Sequence, residues 1–411
     1  MTERYDVVVV GGGVVGCAAL YELARAGISD TLLIERRQLT SGSSWHAAGN
    51  VTQFGHYAEI TGLYVDSIRT YLAAEAESGH SAGFHEAGSL RLAATKEELR
   101  AYERLIPSYE KMGVPYAVIG PDEIRKVHPL LVLDGVLGAA HTPTDGHVDA
   151  SGATYALAKA AQARGAKIAL ERPVVALRQG GPGWIVETEK GPVEAERVVL
   201  ATSFWTRGLT APLGLAPPLF ALEHHEVVTG PSAALAALDF EVPTVRDPVA
   251  PSNTRQERDG YLCGVYEATP KPWRPEGPPL DFAEELLPPD LDRLLPHLER
   301  VMERLPDFGE AGIKVMNNGP LCYTPDALPM VGPVSSHPGL WFCTGFNVGF
   351  GTGGGAAKYL AGWMARGAPE RPLPIIHADR FADPPSAQAA LDAITAIYAA
   401  GYATPASGPA R

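Results

Sequence analysis

The chain has 411 residues, is 45% apolar and 20% charged, and carries a formal net charge of −13. That length exceeds one small core and suits two interleaved domains, and the composition is that of a soluble globular enzyme. The acidity argues against nucleic acid or an anionic membrane as a main partner, and no apolar run approaches the roughly 20 residues that span a bilayer.

The four cysteines, Cys17, Cys263, Cys322 and Cys343, show no C-x-x-C spacing. They are expected to be buried thiols in a reducing compartment, neither disulfides nor zinc ligands, and no metal is expected. With a strand starting at residue 5, no secretory leader is expected, which points to the cytoplasm.

Residues 5–50 organise the rest. Val7, Val8, Val9 and Val10 form a β-branched run suited to a parallel strand buried on both faces. Gly11, Gly13 and Gly16 follow at once as G-x-G-x-x-G, then a helix over 14–26 with Gly27 just past its end. A second strand, 31–34, ends on Glu35. In such a unit the first glycine permits the tight turn. The second lets backbone approach a pyrophosphate, and the third lets helix and strand pack closely. The helix N-terminus then offers N–H groups to the phosphates. An acid roughly 20 residues on binds ribose hydroxyls, which favours FAD or NAD over NADP; Arg36 and Arg37 beside it keep a 2′-phosphate open.

Further elements are expected in chain order. These are a helix over 57–77, a strand near 84–93, an amphipathic helix over 96–111 and a helix over 150–164. Strands follow near 167–170 and 174–177, with a hairpin of 184–188 and 193–196 turning at Lys190-Gly191, and a buried strand at 198–201. Residues 217–320 are proline-rich, with strands at 226–229 and 261–265 and a helix over 291–305 interrupted at Pro296. A strand at 340–343 leads into a second glycine-rich segment, 345–355, and a helix to about 364. The N-terminus of that helix either points positive charge at a flavin's N1/C2=O edge or simply packs tightly in a doubly wound sheet. An alanine-rich helix, 387–400, and a mobile small-residue tail close the chain.

Trp45-His46-Ala47-Ala48-Gly49 carries a family pattern. Segments 83–93, 145–149 and 255–260, Asn318-Gly319-Pro320, 323–326 and 328–333 carry it further. Over about residues 4–370 the chain resembles the flavin domain of the dimethylglycine and sarcosine dehydrogenases, within the D-amino-acid-oxidase-like superfamily. The resemblance implies an α/β fold: an FAD-binding, Rossmann-like, doubly wound domain with an inserted α+β substrate domain on a mixed or antiparallel sheet. Residues 1–84, 140–216 and 321–375 would form the discontinuous FAD domain, 85–139 and 217–320 the substrate domain, and 376–411 a C-terminal helix and tail.

The resemblance also implies FAD joined through its 8α carbon to His46, a bond that a neutral imidazole makes with the electrophilic 8α position. The cofactor would lie against Gly11, Gly13, Val14, Val15, Gly16, Glu35 and Arg36. Around His46 it would touch Gly42, Ser43, Ser44, Trp45, Ala47, Ala48, Gly49 and Asn50. Val174, Trp205, Gly345, Phe346, Asn347, Val348, Gly349 and Phe350 would complete its surround. His224, in Glu223-His224-His225-Glu226, aligns with the family's active-site histidine. It would keep an amine neutral or orient it, while His225, adjacent on a strand, faces the other way. Arg255, or Arg246, is a candidate for a bidentate grip on a substrate carboxylate, and Tyr266 for a hydroxyl contact.

Two departures stand out. Ser252-Asn253 replaces aromatic residues, and the family's folate-binding half has no counterpart within these residues. The implied activity is oxidation of the C–N bond of a secondary or tertiary amine, such as an N-substituted amino acid, to an imine that hydrolyses to amine and aldehyde. The partners expected are a small amine substrate and either oxygen or an electron-transfer protein. A glycine- or D-amino-acid-type primary amine oxidase and a non-catalytic regulatory paralogue are the alternatives.

Overall fold

The computed structural model describes residues 3–55 and 57–401. The first strand, Glu3–Val10, lies between Val193–Leu200 and Thr31–Ile34, parallel to both. Val7, Val8 and Val9 are wholly buried, because helices cover one face of this sheet and loops and a hairpin cover the other. The path across the sheet runs Met330–Pro333, Leu340–Thr344, Val193–Leu200, Glu3–Val10, Thr31–Ile34, Lys167–Ala169. Gly183–Thr188 and Val174–Gly180 hang off Val193–Leu200 as antiparallel strands. The hairpin arm expected at 193–196 and the strand expected at 198–201 are thus one strand, which pairs with Glu3–Val10 along its whole length and on its other edge with the hairpin in its first half and with Leu340–Thr344 in its second.

Helix Val14–Arg25 follows the glycine turn. A Cβ on Gly16 would stand 1.9 Å from the carbonyl oxygen of Gly11, so strand and helix pack only because that carbon is missing. Thr61–Ser78, Ala150–Ala163 and Gly349–Arg366 stack beside it and bury the larger core.

The second sheet is mixed, with nine strands. Phe220–Thr229 pairs antiparallel with Gly260–Val265 on one side and Ile313–Tyr323 on the other. Ser252–Glu257, Thr244–Asp247, Ser89–Ala93, Gly138–Thr142 and Ala117–Ile119 extend it. Gly138–Thr142 and Ile313–Tyr323 run across the domain boundaries expected at 140 and 321, and both belong to this second sheet. The α/β fold with an inserted mixed sheet is the architecture observed.

Two helices differ from expectation. The one expected over 96–111 is broken into Lys96–Glu103 and Ile106–Met112, with Pro107 in the first turn of the second, where its missing N–H costs nothing. Leu291–Arg304 runs on through Pro296, which lies early enough to forfeit one backbone bond while Leu294, Leu298 and Val301 anchor the helix in the core. The C-terminal helix, Ala387–Ala400, docks on the second sheet through Ala390, Ile394 and Tyr398. The tail expected to be mobile, 402–411, lies outside the described residues. All four cysteines are buried and free. Among the described residues no helix is long and apolar enough to cross a membrane.

Burial pushes His46, His128 and His224 down to about 4. An unfolded histidine takes its proton near pH 6.5. Between about 6.5 and 4 the unfolded chain therefore binds protons the folded chain refuses, and stability falls as pH falls. His128 caps Pro121–Val127 away from the cavities described below. His128→Leu is expected to flatten the acid limb of a urea-denaturation profile by up to about 1.4 kcal/mol per pH unit.

Candidate active site

A cleft with about 1160 Å³ of open space starts at the glycine turn. Gly11, Gly13, Val14 and Val15 line its floor, Glu35 and Arg36 one end, and Gly345, Phe346, Asn347, Gly349 and Phe350 the other. Glu35 accepts from the Gly12 N–H at 2.7 Å and the Arg37 N–H at 2.9 Å, which fixes its carboxylate at the strand end. The Arg36 guanidinium stacks 3.9 Å from the Trp205 ring centroid and donates to the carbonyls of Leu280 and Phe282 at 2.7 Å each. That clasp closes the end of the cleft beside Glu35. Gly42, Ser43, Ser44, Ala47, Val174 and Trp205 line the cleft. Thr202, Ser203 and Leu321 also line it and were not anticipated.

Seven of the residues expected at the cofactor do not line the long cleft, His46 among them, which lines a second cavity. Gly16 serves strand–helix packing, and Trp45 packs edge-on against His46 at 5.5 Å. Ala48, Gly49, Asn50 and Val348 also line that second cavity, of about 710 Å³, which opens off the first. Ser43, Ala47, Leu321, Asn347, Gly349 and Phe350 line both.

The second cavity is built by strand alternation. On Phe220–Thr229, His224 and Glu226 point into it, while Glu223 and His225 point away. The outward pair joins an ion network: His225 contacts Glu267 at 3.1 Å, and Arg293 bridges Glu267 at 2.7 Å and Glu223 at 3.1 Å. His225 therefore has a structural post, as its opposite facing implied. Across the ladder, Gly319 stands in register with His224 and Asn317 with Glu226. Gly319 has no side chain to fill its place beside His224, and the His46 ring fills it instead. A Cβ there would lie 2.3 Å from His46 Cε1. The two imidazoles expected to matter thus meet at one glycine.

The loop that carries His46 is hung from both sheets. Ser44 Oγ accepts from the Val14 N–H at 3.0 Å, and Ser43 Oγ donates to the Pro320 carbonyl at 2.8 Å. Asn50 and Val51 pair with His147 and Gly146. Asp145, wholly buried, accepts from Thr52 Oγ1 and the Gln53 N–H at 2.7 Å each and from Ser89 Oγ at 2.6 Å. Its segment therefore fastens the loop rather than touching the cavities.

Tyr398 was missed, because nothing near residue 398 in the sequence marks it. Its hydroxyl lies 2.8 Å from His224 Nδ1, and its ring packs on Tyr266 and Tyr323. Tyr266 lines the second cavity, 5.2 Å from the His224 ring. Arg255 does not reach it. Its Nε donates to the Ala48 carbonyl at 3.1 Å, and its Nη1 donates to the Gln256 carbonyl and pairs with Glu257, each at 2.7 Å. Arg246 is likewise absent from the lining. Tyr398→Phe removes the partner of a buried imidazole nitrogen. The expected cost is about 1 kcal/mol in a denaturant melt and a fall of roughly 10-fold in kcat with little change in KM, since the histidine loses aim rather than its place.

Electrostatically the second cavity holds neutral imidazoles. Burial keeps His46 and His224 at about 4, so both carry a free lone pair at neutral pH. Burial pushes Glu226 up to about 7, against the pull of Arg255 and the Ala48 N–H.

Comparison with known proteins gives the family of the chain. Over 383 residues the chain is 39% identical to the rat mitochondrial dimethylglycine dehydrogenase, a span of 92% of this chain and 44% of that protein. It is 35% identical to the 4-methylaminobutanoate oxidase (formaldehyde-forming) of Paenarthrobacter nicotinovorans, over 91% of this chain and 45% of that one. The chain thus spans less than half the length of these relatives. The crystal structure of L-proline dehydrogenase from P. horikoshii superposes with a TM-score of 0.81 at 26% identity, covering 93% of this chain and 99% of that one. The pattern of the FAD dependent oxidoreductase (DAO) family matches residues 6–363, and the chain belongs to that family.

Proposed function

We propose that the chain oxidises the C–N bond of a secondary or tertiary amine, with FAD in the long cleft and the amine in the cavity beyond it. The single observation that carries this reading is the meeting of His46 and His224 at Gly319, in the wall of the cavity that shares Ser43, Ala47 and Asn347 with the long cleft. The cleft residues suit the dinucleotide: the glycine turn and the start of the helix after it line the cleft, and Glu35, at the end of the second strand, would take the ribose hydroxyls. FAD bound there supplies a two-electron acceptor for a hydride from the amine's α-carbon. The nitrogen lone pair then forms C=N, and water adds to that bond to release amine and aldehyde. A protonated amine has no lone pair to give. Neutral His224, buried and held by Tyr398, accepts or donates one hydrogen bond and orients the free base. Asn347, Gly349 and Phe350 sit at the junction, where the helix N-terminus directs positive potential toward developing negative charge.

The same reading joins His46 covalently to the flavin. Its support is a neutral imidazole packed tightly against Gly319, one residue before Ala47, which lines both the cleft and the second cavity. The visible spectrum before and after acid precipitation tests both parts. Yellow colour retained in the pellet is the expected result. Colour released to the supernatant removes the covalent link, and a colourless protein removes the flavoenzyme reading.

A further inference from the structure

The lining of the second cavity includes no lysine and no arginine. The Arg255 guanidinium stands outside that lining, with Nε and Nη1 directed to Ala48, Gln256 and Glu257. Both imidazoles that face the cavity are neutral at neutral pH. Among the described residues, a substrate carboxylate would therefore enter a space with no side-chain cation in its lining.

The acceptors tell the opposite story. Glu226 is buried in the wall, two residues along the strand from His224 and on the same face. Asn50 also lines the cavity, and its Oδ1 is buried with no hydrogen-bond partner among the described residues. The amide is oriented by its neighbours. Asn50 Nδ2 donates to Asn253 Oδ1 at 2.9 Å, while Asn253 Nδ2 reaches the Gly264 carbonyl at 3.5 Å. Gly264 stands in register with both Asn253 and Glu226, so acid and amide share one side of the cavity. A buried acceptor without a donor, next to a buried acid that shares the Arg255 guanidinium with Glu257, suits a ligand that brings both hydrogen and positive charge.

We propose that this wall is a cation subsite, taking a substrate that carries a second, protonated amine beside the amine to be oxidised, such as an N-alkylated diamine. Glu226 is its counter-charge, and Asn50 Oδ1 accepts one of its N–H bonds. The inference rests on the reading of the cavity as an amine-oxidation site. It departs from the carboxylates named for the relatives, dimethylglycine and 4-methylaminobutanoate.

The test uses two unreactive thioethers of matched length, 3-(methylthio)propylamine and 3-(methylthio)propanoate, titrated calorimetrically into the purified flavoprotein. The cation is expected to bind about 10- to 100-fold more tightly than the anion. Glu226→Gln, which keeps the shape of the wall, is expected to erase that preference. A wild-type protein that binds the anion as well as the cation, or binds neither, overturns the subsite, as does a preference that survives in Glu226→Gln. Because the wild-type comparison needs no variant, a Glu226→Gln protein that fails to fold leaves the test standing. The amine reading is judged separately, by anaerobic bleaching of the flavin with N-methyl-1,3-diaminopropane and with N-methylglycine. Bleaching by N-methylglycine alone retains that reading and removes the subsite, and bleaching by neither removes both.

Discussion

His224→Ala is expected to lower kcat for amine oxidation by about 100-fold, the scale of a loss of substrate aim, while the flavin stays bound. The histidine is placed by three independent features. Strand alternation turns it into the cavity, Gly264 leaves room for its Nε2, and Tyr398 holds its Nδ1. Its burial keeps it neutral, so it is an orienting hydrogen-bond partner and not the base that strips an ammonium. The sign of the pH effect follows. A group held at about 4 leaves no titration limb near neutrality, so the limb that appears there belongs to Glu226 or to the substrate amine. His224→Ala should leave that limb where it is and lower the whole profile. A variant as active as wild type, or one whose neutral limb vanishes, contradicts the assignment.

Gly319→Ala is the second large effect. The added carbon would overlap His46 at Cε1, Nδ1 and Nε2, at 2.3, 2.6 and 2.8 Å, and the ring must leave its place. The long cleft does not include Gly319 and is untouched. The expected protein binds FAD but does not couple to it: acid precipitation gives a white pellet and a yellow supernatant, whereas the wild-type pellet stays yellow. This variant is sharper than His46→Ala because the nucleophile is still present and only its position is changed. A pellet as yellow as wild type would show that the ring's place over Gly319 is not the attacking one.

How much of this was legible before the structure depends on how local each feature is. The nucleotide unit is local. Strand, glycine turn, helix, second strand and terminal acid follow one another over residues 3–35, and each residue choice is dictated by its neighbours. The opposite facing of His224 and His225 is equally local, and the same alternation marks Glu226 once His224 is placed. What the sequence hides is the meeting of distant parts. Gly319 reads as an ordinary glycine before a proline, and only the ladder that sets it opposite His224 shows why it must lack a side chain. Tyr398 lies 174 positions from the histidine it holds. Arg255 looks like a carboxylate clamp because a free guanidinium is the natural one, yet its Nε is held by the loop after His46 and its Nη1 by Gln256 and Glu257. The unbroken helix through Pro296 is the same lesson for secondary structure: three buried apolar side chains outweigh one lost backbone bond.

The most direct measurement is anaerobic mixing of the purified yellow protein with N-methylated amines, followed by assay of the aldehyde released. The account requires the flavin to bleach with a secondary or tertiary amine and one aldehyde to appear per flavin reduced. A flavin that stays oxidised with every such amine and bleaches only with a primary amino acid such as glycine would contradict it.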